Sequence, residues 1–260
     1  MKVFKFIAII LAGCISFAGL LVLFSGESLL TVAVTTKNPL LVRAVLPFTE
    51  PDNVGEGQFP AIVIAAYSGH AVIVGILLDS GVNPNLQGPD GRTALAVATV
   101  KGHGFVARKL IARGGNPNIR DALGRTPLSY GAELGRDKMV RDLIHNEADL
   151  NLADTNNNVP LYYSIATGNH GITRDLVEMK ANVNVPNDSG QSPLHAAWTT
   201  WKNDKPISPN LQRVAISYLL ENGLDLNLQD KSGMSLKSEL VGTEYEPLIP
   251  VVSVGLAIQD

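Results

Sequence analysis

The sequence predicts an all-α fold: a solenoid of stacked helix–turn–helix units with polar loops and hairpins between them, preceded by one N-terminal membrane helix. Three observations carry this expectation. The stretch "GHAVIVGILLDSGVNPN" at 69–85 returns 33 residues later as "GHGFVARKLIARGGNPN" at 102–118. Paired apolar residues recur at Leu77-Leu78, Leu110-Ile111, Leu143-Ile144, Leu176-Val177 and Leu219-Leu220, with spacings of 33, 33, 33 and 43, and Asn83, Asn116, Asp149, Asn182 and Asp225 keep the same rhythm. Ahead of all this, the chain is uncharged from Phe6 to Phe24.

That N-terminal run comes first in the chain. A helix over Phe6–Phe24 at 1.5 Å per residue spans about the 30 Å hydrocarbon core of a bilayer. Lys2 and Lys5 precede it and Glu27 follows, so the positive-inside rule leaves the N-terminus in the cytoplasm and sends the rest across. The expected location is the cell envelope, with the repeats on the periplasmic side. Residues 1–26 are read as a signal anchor. A cleaved signal peptide needs small residues at −3 and −1, and Leu23 and Phe24 make those sites poor. Lipidation at Cys14 is the runner-up, because "LAGC" at 11–14 resembles the bacterial lipobox, although "ISFAGLLVLF" stays apolar after it. Cys14 is the only cysteine, so no disulfide framework is available to the remainder.

Composition sets outer bounds. The chain is 45% hydrophobic and 17% charged, enough to bury a core. Its formal charge of −3 and pI near 6.0 give no electrostatic footprint for nucleic acid, which is discounted as the partner.

The units follow in order. Residues 27–54 form a degenerate N-terminal cap, where "KNPLLVRAVL" at 37–46 matches the second helix of a unit, one residue out of phase and without the preceding motif. Residues 55–229 hold five units. In these, Thr93-Ala94, Thr126-Pro127 and Ser192-Pro193 place a capping hydroxyl before a residue suited to the first helical turn. Leu95, Leu128, Leu161 and Leu194 begin the apolar face, and Gly69, Gly102, Gly135 and Gly168 fall where the first helix must stop. The second helix shows helical spacing at Val106, Leu110 and Ile111. Gly81 and Gly114 end it, and "NPN" opens a polar loop. The fifth unit carries ten extra residues, an insertion at about 202–211, in which Pro206 and Pro209 are expected to exclude regular helix. Residues 230–260 start a partial unit, with Lys237 in the expected leucine place, and end in an irregular cap whose apolar "VVSVGLAI" docks on the stack.

The local signatures "DGRTALAVA" at 90–98, "LGRTPLSYGA" at 123–132, "NVPLYYSIA" at 158–166 and "SGQSPLHAA" at 189–197, set on a 33-residue period, resemble the ankyrin repeat family over roughly residues 28–240. The resemblance implies a non-enzymatic scaffold that binds another protein, without cofactor or metal. It places the partner against loop tips and exposed first-helix residues lining a concave groove. In this register the tips are Pro89, Asp90 and Arg92; Leu123 and Arg125; Thr155, Asn156 and Asn158; Asp188, Ser189 and Gln191. The helix positions are Val100, Lys101, Glu133, Leu134, Thr167, Thr199 and Thr200. Trp201, beside the insertion, is a candidate binding hot spot, and Trp198 a core residue. Exported bacterial ankyrin proteins with lipobox-like signals include periplasmic immunity proteins that neutralise effectors such as phospholipases, and others that support periplasmic catalases. The resemblance leaves both open.

Catalytic patterns are wanting. His70, His103, His170 and His195 lie in different units, so they do not suggest convergence on a metal, and neither HExxH nor CxxC occurs. The family resemblance makes them structural hydrogen-bonding groups. "GHGFVA" at 102–107 mimics a dinucleotide fingerprint, but it follows a helical segment where a strand is required. In the insertion, only Lys202, Asp204 and Lys205 are titratable.

Overall fold

The computed structural model describes residues 29–52, 58–203 and 207–249. The expected membrane segment with Cys14 and the apolar "VVSVGLAI" therefore lie outside the described residues, among which no helix is long and apolar enough to cross a membrane.

The described chain is built from helix pairs. They are α1 (Leu29–Thr35) with α2 (Pro39–Val45), α3 (Ala61–Tyr67) with α4 (Ala71–Asp79), α5 (Ala94–Lys101) with α6 (Gly104–Ile111), α7 (Pro127–Glu133) with α8 (Asp137–His145), α9 (Pro160–Ala166) with α10 (His170–Glu178), and α11 (Pro193–Asn203) with α12 (Pro209–Glu221). A short α13 (Leu236–Leu240) and a 3-10 turn at Glu246–Leu248 follow. First helices pack on first helices along one layer, and second on second along the other. The core runs unbroken between them. Leu95, Leu128, Leu161 and Leu194 meet Leu77, Leu110, Leu143, Leu176 and Leu219 in it, all essentially removed from water.

Local chemistry explains where each helix begins and ends. The Thr93 and Thr126 hydroxyls accept from the amides of Ala96 and Ser129, and Pro127, Pro160 and Pro209 sit in first turns where a missing N–H does no harm. Gly69, Gly102, Gly135 and Gly168 end or follow the first helices with φ between 64° and 75°, the left-handed region in which a side chain is strained. The turn reverses there. The next unit then reaches back over it: His103 Nε2 lies 3.2 Å from the Tyr67 carbonyl, and Arg136 and Asn169 donate to the carbonyls of Val100 and Ala132.

The "NPN" loops form a second set of ties. Asn85, Asn118, Asn151 and Asn184 accept, through Oδ1, the amide N–H of Asn116, Asp149, Asn182 and Asp225 in the following unit, at 2.8–2.9 Å. The Nδ2 groups of Asn85, Asn118 and Asn184 also donate to the carbonyls of Gly114, Glu147 and Gly223 at the end of that unit's second helix. Asn85, Asn118 and Asn184 thus each satisfy one loop donor and one acceptor that follows a helix end, and Asn151 one donor. Asn118→Ala is expected to cost about 1 kcal/mol, because the freed groups lie near water. Faster hydrogen exchange at the Asp149 amide, with little change at Asn116, is the readout.

The N-terminal cap is a helix pair, in which α1 precedes the recognised second helix and buries Leu30, Ala33 and Val34. The insertion requires correction. The fifth unit does not spend its extra residues on an irregular loop alone. They lengthen α11 to 11 residues and α12 to 13, and Pro209 opens α12 behind the Ser208 cap. Proline excludes helix interiors, and Pro209 is not in one; residues 204–206 lie outside the description. In the partial last unit, Leu236 and Leu240 take the buried places that Lys237 leaves, and Ser235 and Ser238 form a capping box.

Candidate partner-binding face

The loop tips are short hairpins held by an acidic or amide side chain. Asp121 Oδ1 accepts the amides of Leu123 and Arg125, Asp154 Oδ1 those of Asn156 and Asn158, and Asn187 Oδ1 those of Ser189 and Gln191. Backbone bonds join successive tips. The amides of Ala122, Thr155, Asp188 and Lys231 donate to the carbonyls of Asp90, Leu123, Asn156 and Ser189 at 2.8–3.1 Å. The tips therefore form one continuous rim beside the first-helix layer.

Below the rim lies a ladder of arginine and tyrosine. The Arg92 guanidinium sits 4.9 Å from the Tyr130 ring centre and donates to the Tyr130 hydroxyl at 2.9 Å, which in turn donates to Asp121. Arg125 lies between the rings of Tyr130 and Tyr163, at 4.1 and 4.2 Å, and pairs with Glu133 at 2.6 Å. The Tyr163 hydroxyl donates to Asp154. Burial and that bond to a carboxylate push the Tyr163 phenol far above its ordinary value, so it stays a neutral donor. Burial and the bond to Asp121 act on Tyr130 in the same direction.

These contacts redistribute the residues that sequence placed on the binding face. Pro89, Lys101, Leu123, Asn156 and Asp188 are exposed. Asp90, Arg92, Asn158, Gln191 and Thr199 are half-buried, and Gln191 and Thr199 bond to each other. Arg125 and Glu133 are engaged within the ladder, the arginine side chain only 12% exposed. Trp201 is the clear correction. It is 3% exposed, its indole N–H donates to the Ala166 carbonyl at 3.0 Å, and its ring meets Trp198 edge-on with centres 6.5 Å apart. On the lengthened α11 it lies three residues past Trp198, hence on the same buried stripe.

Sequence reasoning passed over the aromatic part of the face. Phe59 and Tyr67, 43% and 57% exposed, line a hollow of about 290 Å³ with Val63, Ile64, Val97 and Val100. Asp90, Arg92 and Lys101 stand around it, and the Lys101 ammonium lies 4.1 Å from the centre of the Tyr67 ring. The signal was present in the period, since Tyr67 falls 33 residues before Val100.

His70, His195 and Glu239 belong to the scaffold. Among the described residues, no cluster of three or more histidine, cysteine or acidic side chains could hold a metal. His70 Nδ1 lies 2.7 Å from the Ser68 carbonyl, and His195, 1% exposed, lies 3.3 Å from Glu239. Burial works against the Glu239 carboxylate, but hydrogen bonds with Lys202 and His195 outweigh it and hold its pKa below the ordinary value.

Two helix layers, a hydrogen-bonded rim and a stiff inner ladder define a helix-pair repeat protein that presents a preformed surface. The family profile described as "Ankyrin repeats (3 copies)" matches residues 29–121, 62–154 and 130–230, and the chain belongs to the ankyrin repeat family. A similar solved structure is the ankyrin repeat domain of Bcl-3, titled a unique member of the IkappaB protein family. It shares 21% identity over 82% of this chain and 93% of that one, with a TM-score of 0.69, which shows the common fold. No curated protein matches the chain.

Proposed function

We propose that the chain is a non-enzymatic scaffold that holds a partner protein on its inner face, centred on the hollow between the first helices α3 and α5. Ankyrin repeats are protein-interaction modules, and the observation that supports this placement is the pair of exposed rings, Phe59 and Tyr67, beside a ladder that fixes the neighbouring surface. Aromatic side chains in a preorganised setting contribute strongly to interfaces. A photo-crosslinker at Tyr67 in the full chain is expected to capture one discrete protein, and a crosslinker at Arg174 on α10 none. Tyr67→Ala should then weaken affinity for that protein at least tenfold, about 1.4 kcal/mol, without moving the melting temperature. Equal capture at both positions would remove the inner face from consideration.

The same reading holds the scaffold at a bacterial cell envelope, anchored by residues 6–24 with the repeats on the periplasmic side. The uncharged run behind Lys2 and Lys5 supports it. A reporter that is active only outside the cytoplasm, fused after Asp260, should be active; an inactive one reverses the topology. The role would be immunity against an antibacterial effector such as a phospholipase, or support of a periplasmic catalase. Which enzyme is crosslinked at Tyr67 decides between them.

A further inference from the structure

The edge of the stack where first helices turn into second helices carries another surface. Leu40, Val72 and Phe105 are each the second residue of α2, α4 and α6, and they are 77%, 63% and 78% exposed, the three most exposed large apolar side chains among the described residues. At the same position α8, α10 and α12 carry Lys138, Gly171 and Asn210. Cations crowd these turns. Lys37, Lys101, Arg136 and Lys138 lie in or beside them, with Asp137 and Glu133, the latter paired with Arg125, as the acids. The three lysines have no carboxylate partner among the described residues, and of them Lys101 also lies over the Tyr67 ring. Next to Phe105 a hollow of about 290 Å³ is lined by Gly102, Gly104, Arg108, Arg136, Lys138 and the acids Asp137 and Asp142, the last already held by Arg108 at 3.4 Å.

We propose that this edge docks on an anionic bilayer surface, with Leu40, Val72 and Phe105 entering the headgroup boundary and the lysines facing lipid phosphates. One apolar residue per unit, in a row with lysines that lack carboxylate partners beside it, is the pattern of an interfacial membrane contact, in which apolar burial and attraction to anionic headgroups add. The distribution along the stack agrees. The row occupies only the first three helix pairs, and Leu29 follows Phe24 by five residues, a reach of no more than about 18 Å. A chain held in the membrane through residues 6–24 keeps those units at the lipid surface, so the inference rests in this respect on the anchoring proposed above.

The test uses the full chain carrying Cys14→Ser and a single bimane-labelled cysteine at Val72, Phe105 or Gly171, reconstituted in phosphatidylcholine vesicles with phosphatidylglycerol and brominated acyl chains. Labels at Val72 and Phe105 should lose fluorescence roughly twofold relative to Gly171. Lys101→Glu with Lys138→Glu should abolish that loss, as should omission of phosphatidylglycerol. Equal fluorescence at all three positions overturns the docking and makes the row a solvent- or protein-facing patch. An alkaline wash separates the two claims. If it strips the chain from the vesicles, the anchor fails, yet the docking still requires quenching before the wash.

Discussion

Truncating Trp201 to alanine is expected to destabilise the array by about 3–5 kcal/mol, the range for loss of a large aromatic from a packed core. The indole is nearly absent from the surface, packs edge-on against Trp198, and donates to the Ala166 carbonyl of the preceding unit. Trp198 in turn meets Tyr245 at 5.3 Å, also edge-on, and the Tyr245 hydroxyl donates to Gln212. The substitution therefore empties one member of a chain of rings that links α9, α11, α12 and the C-terminal turn. It also leaves a carbonyl without its donor. Trp198→Ala should cost a similar amount, and the double variant less than the sum, because the two rings share a contact. Urea denaturation followed by amide exchange should show the fifth unit opening first. A melt unchanged within error, with weaker partner binding, would return Trp201 to the interface.

The second large effect belongs to the centre. Leu110, on α6, is fully buried in the continuous core, and Leu110→Ala should cost about 2–5 kcal/mol. In a linear array, stability is the sum of units and of interfaces between neighbours. A weak middle unit therefore separates the two flanks, and the single urea transition should broaden or split. One sharp transition at the parent midpoint would mean that the second-helix register has been misplaced.

Helix pairing was readable in the sequence because each unit repeats the same solution to the same local problem: a hydroxyl or proline at the start, a leucine behind it, and a glycine at the turn. Where a unit uses other residues, the signal fades. Helix α1, "LLTVAVT", has no proline in its first turn and is followed by Lys37, at φ 59°, where the next four units place a glycine, so its membership in the stack is decided by packing against α2 and α3. Pro209 misled because proline forbids helix interiors and favours helix starts, and a sequence does not state which position a proline occupies. The binding face was legible as a set of positions but not as a set of free groups. Arg92, Arg125 and Glu133 do occupy the inner side, yet Arg92 and Arg125 each meet a tyrosine of the next unit, Tyr130 and Tyr163, while Glu133 is paired with Arg125, and periodicity alone does not show that a side chain is already engaged.

The asparagine ties keep a constant pitch while sequence length varies. Asn85, Asn118 and Asn151 reach a partner 31 residues ahead, whereas Asn184 reaches Asp225, 41 residues ahead, at the same 2.9 Å or so. Ten residues were accommodated without altering the step from one unit to the next, since the bond compares the ends of units and ignores what lies between them. Insertions placed inside a unit can therefore reshape its helices or its surface while the stack above and below stays in phase. Loss or gain of a whole period would likewise rejoin an asparagine to an equivalent amide. The array can change its length by recombination and its surface by insertion, two routes of variation that leave each other undisturbed.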